Sequence, residues 1–234
     1  LGVIYAAMRE PLAASIAFRA AAASTPVHPT IWRDLALQLS LAGDEAAARE
    51  ARTRHADLPI AELTLVKVAT LLRADDLSSA EAAVRAYLAE HADDVAALNL
   101  LAEAQARADR PDEAEATLRR CIALAPTYRR ARHALTQLLL GMSQLEEALS
   151  QVQQLVLLDP NNAGTKRLHA AVFMAMGAYD RAIEIYEPLV KSEPNRAGSW
   201  LSYAHALKTL NRTEEGIGAY RRASDLSPQL GEVY

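Results

Sequence analysis

"VLLDPNN", residues 156 to 162, runs apolar and then stops at Pro160, and the chain stops in the same way at Pro126, Pro194 and Pro228. The four prolines are 34 residues apart. Proline has no backbone N–H and clashes with the preceding turn, so it cannot continue a helix and commonly falls just beyond one. Four prolines in one register therefore predict four ends of one repeated helical unit.

Cutting the sequence two residues after each proline gives frames 95–128, 129–162, 163–196 and 197–230. The frame runs back through 61–94 to a shortened unit, 29–60. Each frame holds two helical patterns, A and B, joined by a short turn such as "ADRP", "GMSQ" or "LNRT". The eighth position is mostly small (Ala36, Ala102, Thr136, Ala170 and Ala204), with Val68 the largest, and the twentieth is smaller still: Ala48, Ala80, Ala114, Ala148, Ala182 and Gly216. Small residues at one point on each helix let the two backbones approach closely. Larger ones around them, among them Leu101, Leu135, Phe173, Tyr186, Tyr203 and Tyr220, are expected to fill the remaining space.

A 34-residue unit of two helices with this pattern resembles the tetratricopeptide repeat. The last frame carries the resemblance best, with Trp200, Tyr203, Ala204, Leu207, Gly216, Tyr220, Ala223 and Pro228 at the family's signature places. Leu1, Gly2 and Tyr5, followed by Ala14, Phe18, Ala21 and Pro26, match the same signature, so 1–26 reads as a repeat entered partway through helix A. Residues 231–234 open a further frame. The resemblance implies an all-α fold, an α-solenoid of stacked helix pairs wound as a right-handed superhelix.

Composition agrees with a helical chain outside a membrane. Hydrophobic residues are 51% of the total, yet mean hydropathy is only -0.04, because alanine, the best helix former, swells the apolar count. A net charge of -4 gives no general pull toward nucleic acid or anionic lipid. The single Cys121 rules out an internal disulfide and fits a reducing, cytoplasmic compartment. No run of about 18 uncharged apolar residues proposes a membrane span.

Four departures from the pattern carry expectations. The 29–60 unit is two residues short around "HADLPI", which should distort that junction or trim a helix end. Lys67 occupies a place that is usually apolar and should extend its ammonium to water. Gly216 within helix B costs about 1 kcal/mol relative to alanine. Pro188, inside a helix B pattern, removes the bond to the Glu184 carbonyl and predicts a kink.

Several features look chemical. The acid pairs Asp44-Glu45, Asp112-Glu113, Glu146-Glu147 and Glu214-Glu215 could supply a general acid and base. They recur at the starts of B helices, however, where carboxylates satisfy free N–H groups and the positive helix end. Asp93-Asp94 and Asn161-Asn162 precede helices A and read as turn or cap residues. The six histidines are at least 27 residues apart and none has His or Cys at ligand spacing, so no metal is expected. Cys121 occupies a packing position. Without a phosphate loop or a nucleophile elbow, the chain assembles no catalytic site and calls for no cofactor.

Binding remains. In the family the second, fifth, sixth, ninth, twelfth and thirteenth positions of helix A face a concave groove. Here they hold Arg33, Arg73, Arg107, Arg130, Arg167 and Lys208 against Asp34, Glu62 and Glu103, a basic balance in an acidic chain. Arg130, His133 and Gln137 recur on one face of one helix A, and Arg167 is the fifth residue of the next. With Asn99, Arg107, His205 and Lys208 they form the expected peptide-binding face, suited to an acidic segment of a protein partner. The chaperone-type clamp and the asparagine ladder known in the family find no matching residues. A narrower resemblance concerns "PNRAGSWLSYAHALKTLNRTEEGIGAYRRASDLSPQLGEVY", residues 194 to 234, which looks like the last repeats of large bacterial proteins whose array precedes a sulfotransferase domain. It implies a non-catalytic region that recruits the acceptor, with 3′-phosphoadenosine 5′-phosphosulfate bound elsewhere. A free-standing adaptor is the alternative.

Overall fold

The structure is a computed structural model and describes residues 1–58 and 63–227. Fourteen helices form among the described residues, with no strand. In pairs they are α1 (Gly2–Ala7) and α2 (Pro11–Ser24), α3 (Pro29–Leu41) and α4 (Glu45–Asp57), α5 (Leu63–Arg73) and α6 (Leu77–Glu90), and α7 (Val95–Arg107) and α8 (Pro111–Leu124). Then follow α9 (Arg129–Gly141) and α10 (Leu145–Leu158), α11 (Ala163–Ala175) and α12 (Tyr179–Ser192), and α13 (Ala197–Thr209) and α14 (Thr213–Leu226). None is long and apolar enough to cross a membrane.

The helix B ends confirm the proline register. α8, α10 and α12 stop two residues before Pro126, Pro160 and Pro194. α14 stops at Leu226, and Pro228 lies outside the described residues. The residue four places into a frame then ties back to the proline carbonyl. Trp32 Nε1 donates to the Pro26 oxygen at 2.7 Å, Arg132 Nη2 to that of Pro126 at 2.9 Å, and Trp200 Nε1 to that of Pro194 at 2.9 Å.

The turn within each pair repeats as faithfully. Positive φ occurs at Arg9, Gly43, Asp75, Asp109, Ser143, Gly177 and Asn211, always the fifteenth place of the frame, and only the Gly43 to Asp75 step is shortened. In each turn two backbone N–H groups close back onto the helix, as where Ser143 N donates to Leu140 O at 3.1 Å and Gln144 N to Leu139 O at 2.9 Å. This double closure satisfies carbonyls that a helix end leaves orphaned.

The chain forms two compact units, Leu1–Ala134 and Leu135–Tyr234. In the first, α2, α3 and α4 enclose Phe18, Leu35 and Leu39 around Ala14, Ala36 and Ala48, and α5, α6 and α7 enclose Leu65, Leu72, Val84 and Leu101 around Ala80 and Val68. In the second, α11 to α14 pack Phe173, Tyr186, Tyr203 and Leu207 around Ala170, Ala182 and Ala204. The small eighth and twentieth residues are the buried floor of each pair, as their spacing implied.

α4 has 13 residues where the other full B helices have 14, so the shortened unit does trim a helix end; residues 59–62 of the same stretch lie outside the described residues. Lys67 is exposed. α12 continues through Pro188. Of the four acid pairs, Asp44 caps its helix through its side chain, accepting from Ala47 N. The others sit in first turns without a side-chain cap, and Glu113 and Glu215 pair instead with Arg110 and Arg212. Their place at the positive helix end was read correctly, the capping bond is made at Asp44, and Glu113 and Glu215 are engaged with arginines.

Candidate functional site

In the first compact unit α4 packs on α7, the helix A two frames on. Two side-chain contacts tie α4 to this part of the chain, one of them in the turn after α8. Thr53 Oγ1 lies 3.1 Å from Thr127 Oγ1, and His55, on α4, reaches Asp94 at the start of α7.

Asp94 does what its position requires and more. Its Oδ1 accepts from Ala96 N at 3.0 Å and Ala97 N at 3.1 Å, capping α7. Its Oδ2 accepts from the Tyr87 hydroxyl at 2.9 Å and faces His55 Nε2 at 3.0 Å. The other ring nitrogen, His55 Nδ1, lies 3.0 Å from the Pro29 carbonyl oxygen. A carbonyl can only accept, and so can an ionised carboxylate. The His55 ring is thus held between these two oxygens. Tyr87 in turn accepts from Arg33 Nη1 at 3.4 Å, and Arg33 Nε donates to Asp34 Oδ1 at 3.2 Å. The donor directions run from Arg33 through Tyr87 to Asp94, and the His55 ring bridges Asp94 and the Pro29 carbonyl.

This bonding and burial shift the ionisation of Asp94, Tyr87 and Arg33. Burial works against the Asp94 charge, but His55, the α7 backbone and Tyr87 outweigh it and hold its carboxyl below the ordinary carboxylate value. Burial, reinforced by the Asp94 charge, pushes the Tyr87 phenol up. Burial also opposes the Arg33 cation, yet Tyr87 and Asp34 more than offset it and hold the guanidinium above its ordinary value.

Beside this network lies a cavity of about 380 Å³. α3 contributes Arg33, Asp34, Ala36 and Leu37, and α4 contributes Arg52 and His55. The end of α6 and the turn into α7 supply Glu90, His91 and Asp93. Arg52, with its side chain only 6% exposed, pairs with Glu45 at 2.6 Å and approaches Asp93 at 3.6 Å. The His91 ring rests on Tyr87 with centroids 4.5 Å apart.

The residues expected at the binding face are distributed otherwise. Arg107 is engaged within the first unit, donating to the Leu72 carbonyl at 2.7 Å and to Asp75 at 2.6 Å. Asn99 is half-buried with its Oδ1 enclosed and unbonded. Arg130 is exposed and His133 half-buried, both on α9 in that unit. In the second unit Gln137, His205 and Lys208 are exposed, and Arg167 pairs with Glu193 at 2.5 Å. Cys121 is buried, its thiol pushed up to about 12 by burial and donating to the Val95 carbonyl at 3.3 Å, which is a packing role. Sequence reading missed the His55–Asp94–Tyr87 network. The only available signal was the shortened unit, which places an extra contact somewhere without naming it.

Comparison with known proteins now places the chain. One family model described as tetratricopeptide repeat matches residues 67–129 and 167–230, more than half the chain by itself, and a second of the same description matches 108–172. Among solved structures, a crystal structure of MamA is 20% identical, covers 70% of this chain and 95% of its own, and superposes with a TM-score of 0.61. MamA 41-end from Desulfovibrio magneticus RS-1 is 15% identical over 72% of this chain and 95% of its own, with a TM-score of 0.65. A further MamA crystal structure is 19% identical, covering 87% of this chain and 94% of its own at a TM-score of 0.53. At these identities the likeness is one of fold. A search of curated proteins finds no match. The chain belongs to the tetratricopeptide repeat family.

Proposed function

We propose that this chain is a protein-interaction module whose first unit docks a segment of a partner protein on its helix A surface. Stacked repeats of this kind create concave binding surfaces. The observation that carries the reading is the α3 edge of the cavity. Arg33, Asp34 and Leu37 occupy the fifth, sixth and ninth places of their frame, which face the groove in the family, and Leu37 keeps 56% of its surface exposed beside the cavity. The cavity lies within the usual size of a specific pocket, about 300–1,000 Å³.

An acid-binding contribution from the groove has its support in the exposed Arg130, with His133 one turn away. Arg107 and Arg167 already hold acids of this chain. Placement beside a sulfotransferase domain is supported by the resemblance of residues 194–234 alone, and a free-standing adaptor is the other reading. Sequencing the reading frame past Tyr234 separates them.

The test presents the full chain to a random-peptide display library and repeats the selection with Leu37→Glu, whose exposed side chain leaves helicity intact by circular dichroism. Enrichment of a peptide class by the parent chain that is lost with Leu37→Glu is the expected result. No enrichment, or enrichment indifferent to Leu37→Glu, overturns the reading.

A further inference from the structure

The charges lining the cavity do not balance. Asp34 is paired with Arg33, Asp93 with Arg52 and Arg120, and Asp94 is bonded by Tyr87 and faces His55. Glu90 is left over: its side chain is exposed, it lines the cavity, and no hydrogen bond or ion pair to it occurs among the described residues.

Its location sharpens the imbalance. Glu90 is the last residue of α6, where the helix dipole is negative and the final carbonyls lack helical partners. A carboxylate is ordinarily disfavoured there, and a cation is favoured. Of the last carbonyls of α6, that of Tyr87 accepts from His91 N. Two independent sources of negative potential, the helix end and the unmatched carboxylate, thus meet in the lining of a cavity that the exposed apolar Leu37 also lines.

We propose that this cavity receives a basic side chain, an arginine of the docked segment, with its guanidinium against Glu90 and the C-terminal end of α6 and its aliphatic stem along Leu37. An arginine fork can satisfy a carboxylate through two charge-assisted bonds, and its stem suits an apolar wall. The inference rests on the module reading above and specifies what its partner presents.

The experiment titrates the full chain with N-acetyl-arginine amide and, in parallel, with its uncharged citrulline counterpart, following the ring signals of His91 and His55 by NMR. Arginine amide is expected to shift the His91 signals saturably, citrulline amide not. Glu90→Gln, a change at an exposed and unbonded side chain, should weaken binding roughly tenfold, the scale of one charge-assisted bond. No saturable shift, equal response to citrulline, or indifference to Glu90→Gln overturns the proposal. A peptide class selected in display that depends on Leu37 but carries no arginine would sink this inference and leave the module reading standing.

Discussion

His55 Nε2 lies 3.0 Å from Asp94 Oδ2 across 39 residues of sequence, and the two side chains are 6% and 0% exposed. Removing one member of a buried hydrogen-bonded pair leaves the partner's polar atom unsatisfied, which costs about 1–3 kcal/mol. Asp94→Ala also strips two N–H groups at the start of α7 of their acceptor. A loss of that size is expected in urea unfolding followed by circular dichroism. A loss below about 1 kcal/mol would show that α4 and α7 are held by apolar packing alone.

The same pair sets an acid limit. The Asp94 pKa is lower in the folded chain than the ordinary value near 3.9. The stability it contributes is therefore complete above the unfolded value and fades as pH falls through the lower folded one. Unfolding midpoints should drop below about pH 4, and Asp94→Asn, already weakened at neutral pH, should show a shallower drop.

Gly216 offers room for a side chain. A Cβ there would meet Lys208 N at 3.5 Å, Ala204 O at 3.6 Å and Leu207 Cβ at 3.7 Å, which is ordinary contact. Gly216→Ala should then recover most of the helical penalty of glycine, a gain of about 0.5–1 kcal/mol. A decrease in thermal midpoint would mean that α13 and α14 need the closer approach.

Ser143 holds φ at 59° in a turn where Gly43 and Gly177 stand in other frames. The left-handed region costs an ordinary L-residue about 1–2 kcal/mol, part of which glycine returns through its freer unfolded state. Ser143→Gly is expected to stabilise by about 0.5–1 kcal/mol, and Gly177→Ala to destabilise by a similar amount. Paired thermal melts of the two variants check both signs.

The period of 34, the helix pairs and the buried small residues were legible in the chain, because each follows from local rules. Proline ends a helix wherever it falls, and small residues at a fixed register allow close packing in every copy. Repetition made these weak signals strong, since Ala48, Ala80, Ala114, Ala148 and Ala182 restate one instruction. The capping role of Asp94 was also legible, for a carboxylate before helix A reads as a cap in any frame.

What joins His55 to Asp94 was not. The shortened 29–60 unit announced an irregular junction, but which side chains meet there depends on how α4 and α7 are brought together in space. Ion pairing is equally nonlocal: Arg107 and Arg167 read as groove cations until Asp75 and Glu193 are placed beside them. Sequence alone determined the repeat, because its physics acts within a turn or two of helix. The tertiary structure decided which charges are spent and that Glu90 is left over, because that depends on distances between residues the chain separates.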